Sequence, residues 1–264
     1  MRNRRAADRP GMPIRILLVV VCLWLAVPGN AEAQFVAQAA VVPPEQFNAE
    51  IGLMFWKPTP ELVITTGAFA PFGGTVDFVN SFGLEKKTFR EYRFVSKAGR
   101  KHKLRFSKVE FAYEGSTVVQ GAPVTTDIEW QLWRGGYEYD ILLRSHGFIG
   151  IVTELKYNNI EASLSRAGQS IVTDQRVFVP TIGGIARGYL GDYISLTGEF
   201  TFMNIDGTEL RGKFQDLDLY GIAHLGKSVG LQFGYRSVHV DYLVDDDAGD
   251  LRMKGPYFGG LLRF

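Results

Sequence analysis

Apolar and polar residues alternate along most of this chain, which is the pattern of β-strands with two different faces. In 228–236, for example, Val229, Leu231 and Phe233 take every second position. The chain is 46% hydrophobic. Beyond its first 33 residues, however, it has no uninterrupted apolar run of twenty residues, the length that a spanning helix needs. A chain of this kind can enter a membrane only as a closed β-barrel.

The alternating segments form a regular series. Ten strands are predicted, at 48–57, 88–97, 101–114, 125–140, 146–160, 175–190, 192–206, 212–226, 228–244 and 250–264. Short turns near 98–100, 142–145, 191 and 226–227 alternate with longer connections at 58–87, 115–124, 161–174, 207–211 and 245–249. Such alternation is typical of outer-membrane barrels. We therefore predict an all-β fold, a transmembrane antiparallel up-and-down β-barrel of about 10 strands, with 8 or 12 as alternatives.

The N-terminal segment has the pattern of a secretory signal peptide. An apolar run of twelve residues, 16–27, follows several arginines and precedes Ala31-Glu32-Ala33, a small-x-small cleavage pattern. We predict a signal peptide at 1–33, a periplasmic lead-in at 34–47 and the barrel at 48–264. Without residues 1–33 the formal charge is −2, from 24 Lys and Arg against 26 Asp and Glu, which argues against a nucleic-acid partner.

The C-terminal strand ends on an aromatic residue. Phe258, Gly260, Leu262 and Phe264 share one face of it. This resembles the assembly signal of bacterial outer-membrane barrels, which the barrel-assembly machinery reads. The whole arrangement, including the stretch 74–85 (GTVDFVNSFGLE), resembles a family of uncharacterised outer-membrane β-barrel proteins. The resemblance implies location in the bacterial outer membrane, a lipid bilayer environment and export through the Sec translocon.

Many charged residues fall on the face opposite the apolar one, which is the lumen side of a membrane barrel. The predicted lumen network comprises Glu91, Arg93, Arg134, Glu154, Arg187, Glu199, Asp216, Asp218 and Arg236. A wider inward set adds Glu50, Arg105, Glu138, Lys156 and Lys254. Because a ten-strand lumen is narrow, we expect these charges to fill it, with a conducting channel as the alternative.

Aromatic residues near strand ends predict two interfacial girdles. The predicted set is Trp56, Trp130, Trp133, Tyr137, Tyr139, Tyr157, Tyr189, Tyr193 and Tyr257. Strand 125–140 breaks its alternation, since Ile128 and Trp130 have one parity whereas Trp133 and Tyr137 have the other. A bulge would produce this change, as would a strand that rises above the membrane.

The weak catalytic candidates are Ser237, His239 and Asp241, which share one face of a strand. This row resembles the exterior Ser and His of outer-membrane lipid A deacylases, although that family has its His before its Ser. In the acidic tip 244–250, Asp245, Asp247 and Asp250 have the oxygen ligands that Ca²⁺ prefers, with a solvated turn as the alternative. The histidines lack metal-ligand spacing, and the sequence predicts neither a metal nor a cofactor.

Three classes of function remain open. The first is a non-enzymatic barrel with a largely filled polar lumen and a structural, surface-binding or narrow-pore role. The second is a barrel enzyme, lipid A deacylase-like or protease-like. The third is a soluble, lipocalin-like periplasmic barrel, which would have its apolar side chains inside. Alternation alone does not identify any transported or bound molecule.

Overall fold

The computed structural model describes residues 46–67, 74–119, 122–166, 169–207, 210–244 and 247–264. The predicted signal peptide and nearly all of the lead-in lie outside these residues. The chain forms twelve strands and one short helix within the described residues. They are β1 (Ala49–Trp56), β2 (Thr59–Thr65), β3 (Thr75–Asp77), α1 (Phe78–Phe82), β4 (Phe89–Lys97), β5 (His102–Val119), β6 (Ala122–Arg144), β7 (Gly147–Arg166), β8 (Gln169–Leu190), β9 (Ile194–Asp206), β10 (Leu210–His224), β11 (Val229–Val244) and β12 (Asp247–Arg263).

Ten of the strands form a closed antiparallel ring, in the order β1, β4 and then β5 to β12. β12 returns to β1 with paired residues from Tyr257–Trp56 to Arg263–Glu50. The backbone N–H of Phe264 then donates to the carbonyl of Ala49 at 2.9 Å. The predicted ten-strand antiparallel barrel is therefore confirmed. Within the described residues, no helix has the length and apolar character needed to cross a bilayer.

The strands are longer than a membrane requires. β5, β6, β7 and β8 contain 18, 23, 20 and 22 residues, whereas about 9–11 residues span a bilayer. The prediction of long connections at 115–124 and 161–174 is wrong, because strand pairing continues to Val119–Ala122 and Arg166–Gln169. Residues 210–211 and 247–249 of two further predicted connections likewise belong to strands β10 and β12. The polar residues of these segments, such as exposed Ser116 and Glu161, therefore belong to strands and do not mark loops.

The barrel has two halves with opposite polarity. We call the half next to Ala49 and Phe264 the membrane half, and the other the distal half. The exterior of the membrane half carries exposed apolar side chains, such as Leu219 and Phe233, which are 50% and 59% exposed. The exterior of the distal half is instead mostly polar, with exposed Glu114 on β5 as an example. The exterior therefore has an apolar band on one half only.

The interior shows the reverse arrangement. In the distal half it is an apolar core, and its centre is an aromatic cluster of Trp56, Phe89, Phe111, Tyr113 and Trp130. The ring centroids of Phe111 lie 5.4, 5.1 and 5.2 Å from those of Trp56, Phe89 and Trp130. This half is organised like a water-soluble barrel, in which apolar residues are inside and polar residues face water.

The polarity change also corrects the predicted girdles. Trp56, Trp130, Tyr189 and Tyr257 are buried inside the barrel and do not face lipid. Trp133, Tyr157 and Phe178 lie directly opposite one another on the exterior of β6, β7 and β8. The Tyr157 and Phe178 ring centroids are 4.9 Å apart. These three residues have the position expected of an interfacial aromatic row.

The wall of the distal half has a seam between β3 and β5. Among the described residues, β3 pairs only with β2, and the part of β5 beyond Val109 pairs only with β6. Helix α1 contacts β2 and β5, and its Phe78 and Phe82, with Leu84 just after it, are buried in the core. Within the predicted long loop 58–87, the described residues thus include β2, β3 and α1, which belong to the barrel wall.

Substitution of Gly115 by Val should loosen this seam. A Cβ at Gly115 would lie 2.7 Å from Leu84 Cδ2 and 2.8 Å from the Phe82 Cβ and carbonyl oxygen. Because backbone must move, we expect a cost of about 1–3 kcal/mol in unfolding free energy and faster trypsin cleavage in the exposed pair Lys86-Lys87. Timed proteolysis of the folded protein measures this.

Gly135→Val is the matched control, because nothing lies within 4 Å of a Cβ at Gly135. Equal cleavage rates for the two variants would mean that α1 is not held by its contact with β5.

Candidate functional site

The most distinctive cluster of side chains fills the interior of the membrane half. Every second residue of a strand points inward, and in this half those positions are largely charged. The structure places all nine predicted lumen residues inside the barrel, where seven are buried and Arg93 and Arg187 are partly buried. Lys254 does not belong with them, since it is exposed on the exterior and bonds Glu61.

Arg236 lies at the centre of the cluster and has no exposed surface. Its Nε and Nη2 donate to the two oxygens of Asp216 at 2.9 and 2.7 Å, and its Nη1 donates to Glu91 Oε1 at 2.9 Å. The guanidinium also lies 5.2 Å from the centroid of the Trp56 ring. A buried guanidinium is thus matched by two carboxylates, as its loss of hydration requires.

Arg134 reaches the same two carboxylates from the opposite wall. It lies on β6, five strands away from β11 in the ring of ten. Its Nη2 bonds Glu91, its Nη1 lies 3.4 Å from Asp216 Oδ2, and its Nε donates to Ser107 Oγ at 2.6 Å. Side chains from opposite sides therefore meet at mid-lumen and close it.

Lys156 adds a third cation to this centre. Its Nζ donates to Asp216 Oδ2 and Thr201 Oγ1, both at 2.8 Å, and lies 3.1 Å from Glu154 Oε2. The ammonium also sits 4.5 Å from the centroid of the Phe214 ring, where the apolar core of the distal half begins. The ionic cluster and the apolar core are therefore in direct contact.

A second ionic group lies nearer to the end of the barrel that contains Ala49 and Phe264. Arg105 Nη2 donates to Glu199 Oε2 at 2.6 Å, and Lys103 Nζ donates to Glu138 Oε1 at 2.6 Å and lies 3.1 Å from Asp140 Oδ2. Sequence reasoning missed Lys103 and Asp140. Their positions could have revealed them, because Lys103 is two residues from Arg105 on β5 and Asp140 is two residues from Glu138 on β6. Residues with this spacing share one face of a strand.

Tyr257, predicted for a girdle, is instead part of the lumen cluster. Its hydroxyl donates to Asp218 Oδ1 at 2.8 Å and accepts from Gln232 Nε2 at 2.8 Å. Arg93 joins it, with its Nη2 3.0 Å from Asp218 Oδ2 and 2.8 Å from Glu91 Oε2. The lumen cluster is therefore continuous from Asp218 to the central carboxylates.

A polar cavity of about 60 Å³ remains within the cluster, with Arg93, Arg105, Arg187, Glu138 and Gln232 in its lining. Among the described residues, the buried Arg93 Nε and Arg105 Nη1 have no hydrogen-bond acceptor there, although Arg105 Nη1 lies 3.4 Å from Glu138 Oε2. A cavity of this size and polarity can hold several water molecules, which would satisfy these donors. Its chemistry is that of a hydrated pocket bounded by ion pairs.

The predicted row Ser237, His239 and Asp241 lies on the exterior of β11. The acid that bonds His239 is Asp250 of β12, with 3.1 Å between His239 Nε2 and Asp250 Oδ1. In the part of the chain that the structure describes, no hydrogen bond joins Ser237 to His239. Ser237 and His239 therefore lack the hydrogen bond that a nucleophile and its general base would need. Of the acidic tip 244–250, Asp245 lies outside the described residues, and Asp247 Oδ2 accepts a hydrogen bond from Gln175 Nε2 at 3.5 Å.

Three residues of the predicted assembly signal, Phe258, Gly260 and Leu262, share the exterior face of β12, and Phe264 directly follows the strand. Phe258, Leu262 and Phe264 are exposed, at 55%, 51% and 66%, and the Phe258 ring is stacked on that of Phe55 with centroids 5.5 Å apart. These side chains extend the apolar band across the closing strand.

The exterior of the distal half is acidic on β5 to β8. Glu129, Glu161 and Asp174 are exposed and lie directly opposite one another on β6, β7 and β8. Glu114 likewise faces Asp127. We call Glu129, Glu161 and Asp174 the acidic row. Like charges in this register repel one another, so these positions suit a surface in contact with water and ions.

No model of a known protein family matches the sequence, and the comparison with curated proteins finds no match. Among solved structures, the fold is similar to the outer membrane protease OmpT from Escherichia coli, with a TM-score of 0.58, 8% identity, and coverage of 82% of this chain and 97% of that one. Weaker similarities are those to Ail of Yersinia pestis (TM-score 0.40, 10% identity, 82% and 99% coverage) and Neisserial surface protein A (0.38, 12%, 82% and 97%).

At 8% identity, the likeness to OmpT concerns the fold alone. The closed ring, the apolar exterior band and this fold define a bacterial outer-membrane β-barrel. The apolar band requires a lipid environment, and the predicted location in the outer membrane is confirmed.

Proposed function

We propose that the protein is a sealed outer-membrane barrel that holds its distal half at the cell surface, with a structural or surface-binding role. The observation that carries the proposal is the meeting of Arg134 and Arg236, from opposite walls, at Glu91 and Asp216. An interior closed by ion pairs at this level leaves no continuous column of water for solutes.

The charge balance of the lumen supports this role. Among the described residues, eight acidic and eight basic side chains form the cluster inside the membrane half, and Lys97 adds one further base at its end, opposite Lys103. The acids are Glu50, Glu91, Glu138, Asp140, Glu154, Glu199, Asp216 and Asp218, and the bases are Arg93, Lys103, Arg105, Arg134, Lys156, Arg187, Arg236 and Arg263. Charges that neutralise one another are suited to filling a lumen, whereas an excess of one sign would favour ions of the opposite sign.

The apolar core of the distal half acts as a second seal above the ionic one. Trp130 and Phe111 belong to this core, and Phe214 joins it to Lys156. A solute would have to pass both a desolvated ionic layer and a packed apolar layer. Interiors of this kind are as dense as organic crystals.

The protein should therefore conduct poorly in planar lipid bilayers. We expect small current steps or none, because the ion pairs and the apolar core block the lumen in series. Single-channel recording at defined salt tests this, with a large porin in the same bilayer as the positive control. Large, stable, ohmic steps from the unmodified protein would make a porin-like channel the better interpretation.

The other two classes of function have less support. A soluble, lipocalin-like barrel would not place Leu219 and Phe233 on its exterior at 50% and 59% exposure. A rim hydrolase would need Ser237 to contact His239, and this contact is not formed in the described residues. We also propose that Phe264 and its neighbours serve as the assembly signal, since they lie on the strand that closes the ring.

A further inference from the structure

Two motifs that the sequence keeps apart meet on the exterior of β11 and β12. His239 and Asp241 project from one face of β11, and Asp250 lies directly opposite Asp241 on β12. One potential ligand atom from each residue lies within 4.8 Å of the other two. His239 Nε2 and Asp250 Oδ1 are already 3.1 Å apart. The three residues therefore form a compact triangle of one imidazole and two carboxylates.

Arg252 lies directly opposite His239, and it pairs with only one of the two carboxylates in this triangle. Carboxylates directly opposite each other on neighbouring strands repel one another, as Asp241 and Asp250 do. Arg252 compensates Asp250, with its Nε 3.2 Å from Asp250 Oδ1. Within the described residues Asp241 has no hydrogen-bond or ion-pair partner, although Lys213 lies opposite it on β10. One carboxylate beside the imidazole thus remains available to a ligand.

We propose that His239, Asp241 and Asp250 form a surface site for a divalent transition-metal cation of the zinc type. Imidazole together with carboxylate is a ligand set that zinc accepts, and a water molecule commonly completes a site with three protein ligands. Tetrahedral bonds of about 2.0 Å place neighbouring ligand atoms about 3.3 Å apart, close to the 3.1 Å between His239 and Asp250. Small side-chain movements would bring Asp241 to the same distance.

Zinc titration of the purified, folded protein in detergent tests the proposal. We expect saturable binding by calorimetry and a rise in the unfolding midpoint, because a ligand of the folded state stabilises it. His239→Ala should weaken zinc binding by at least about tenfold, as should Asp241→Asn. Without zinc, Asp241→Asn should be no less stable than the unmodified protein, because it removes the repulsion with Asp250.

Glu161→Gln is the matched control, since it removes an exposed carboxylate from the acidic row, which has no imidazole in its register. It should leave zinc affinity unchanged. The proposal would be overturned by an absence of zinc binding, by binding that His239→Ala leaves intact, or by equal loss with Glu161→Gln. Stronger binding of Ca²⁺ than of zinc would also overturn it, because Ca²⁺ prefers oxygen ligands.

Discussion

Arg236→Gln should destabilise the barrel by about 3–5 kcal/mol, the cost of leaving buried carboxylates without their cation. Arg236 is fully buried and bonds both Asp216 and Glu91. Arg134 and Lys156 remain near Asp216 in this variant. They cannot replace the bidentate contact in which Arg236 Nε and Nη2 donate to Asp216 Oδ1 and Oδ2 at 2.9 and 2.7 Å. Urea unfolding of the protein in lipid bilayers measures the loss.

Arg211→Gln is the matched control, because it removes an arginine from an ion pair on the surface. Arg211 Nε lies 2.9 Å from Asp206 Oδ1, with side chains 62% and 71% exposed. Such pairs contribute about 0–1 kcal/mol. If the two variants lost equal stability, the central cluster would not be desolvated, and the proposal of a sealed lumen would lose its main support.

Leu219→Arg should destabilise the barrel by up to about 2–4 kcal/mol, whereas Val118→Arg should change its stability little. Both side chains are apolar and on the exterior, 50% and 69% exposed. Leu219 lies in the apolar band of the membrane half, and Val118 lies near the far end of β5 in the distal half. The difference in stability loss between the two variants therefore shows whether lipid or water surrounds each position.

Unfolding in bilayers and in a detergent with a thin apolar layer would compare the two variants. The loss of unfolding free energy caused by Leu219→Arg should be larger in the bilayer, because the cost of a charge rises with its depth in hydrocarbon. A similar effect for Val118→Arg would show that lipid extends over the distal half, contrary to the change in exterior polarity.

The alternation of residues was sufficient to predict the ring. All ten predicted strands correspond to strands of the barrel, and Leu219 and Asp218 point outward and inward as predicted. The reason is local, because successive side chains of a strand point to opposite faces whatever the partner strand. The same argument places the charged residues of the membrane half on one side of the wall.

The phase change in β6 shows where local patterns stop being informative. β6 pairs with β7 in unbroken register from Val124 to Asp140, and its irregularity comes only between Asp140 and Leu142. No bulge therefore separates Trp130 from Trp133. Trp130 points into the apolar core of the distal half, and Trp133 points outward at the end of the apolar band. Of the two explanations considered, the strand that rises above the membrane is the one observed.

Residue alternation predicted the ten strands of the ring, with 8 or 12 as alternatives, and the two faces of each strand, because side-chain direction follows from strand geometry alone. Whether a face meets lipid, water or the packed interior depends instead on the assembled barrel. The sequence of a single strand does not show at which residue the surrounding lipid is replaced by water, so the reversal of polarity becomes visible only in the closed ring. The contact of α1 with β5 and the approach of Arg134 to Arg236 also depend on this ring, because they join residues of different strands. The same closure brings His239 beside Asp250, since that contact depends on the register between β11 and β12.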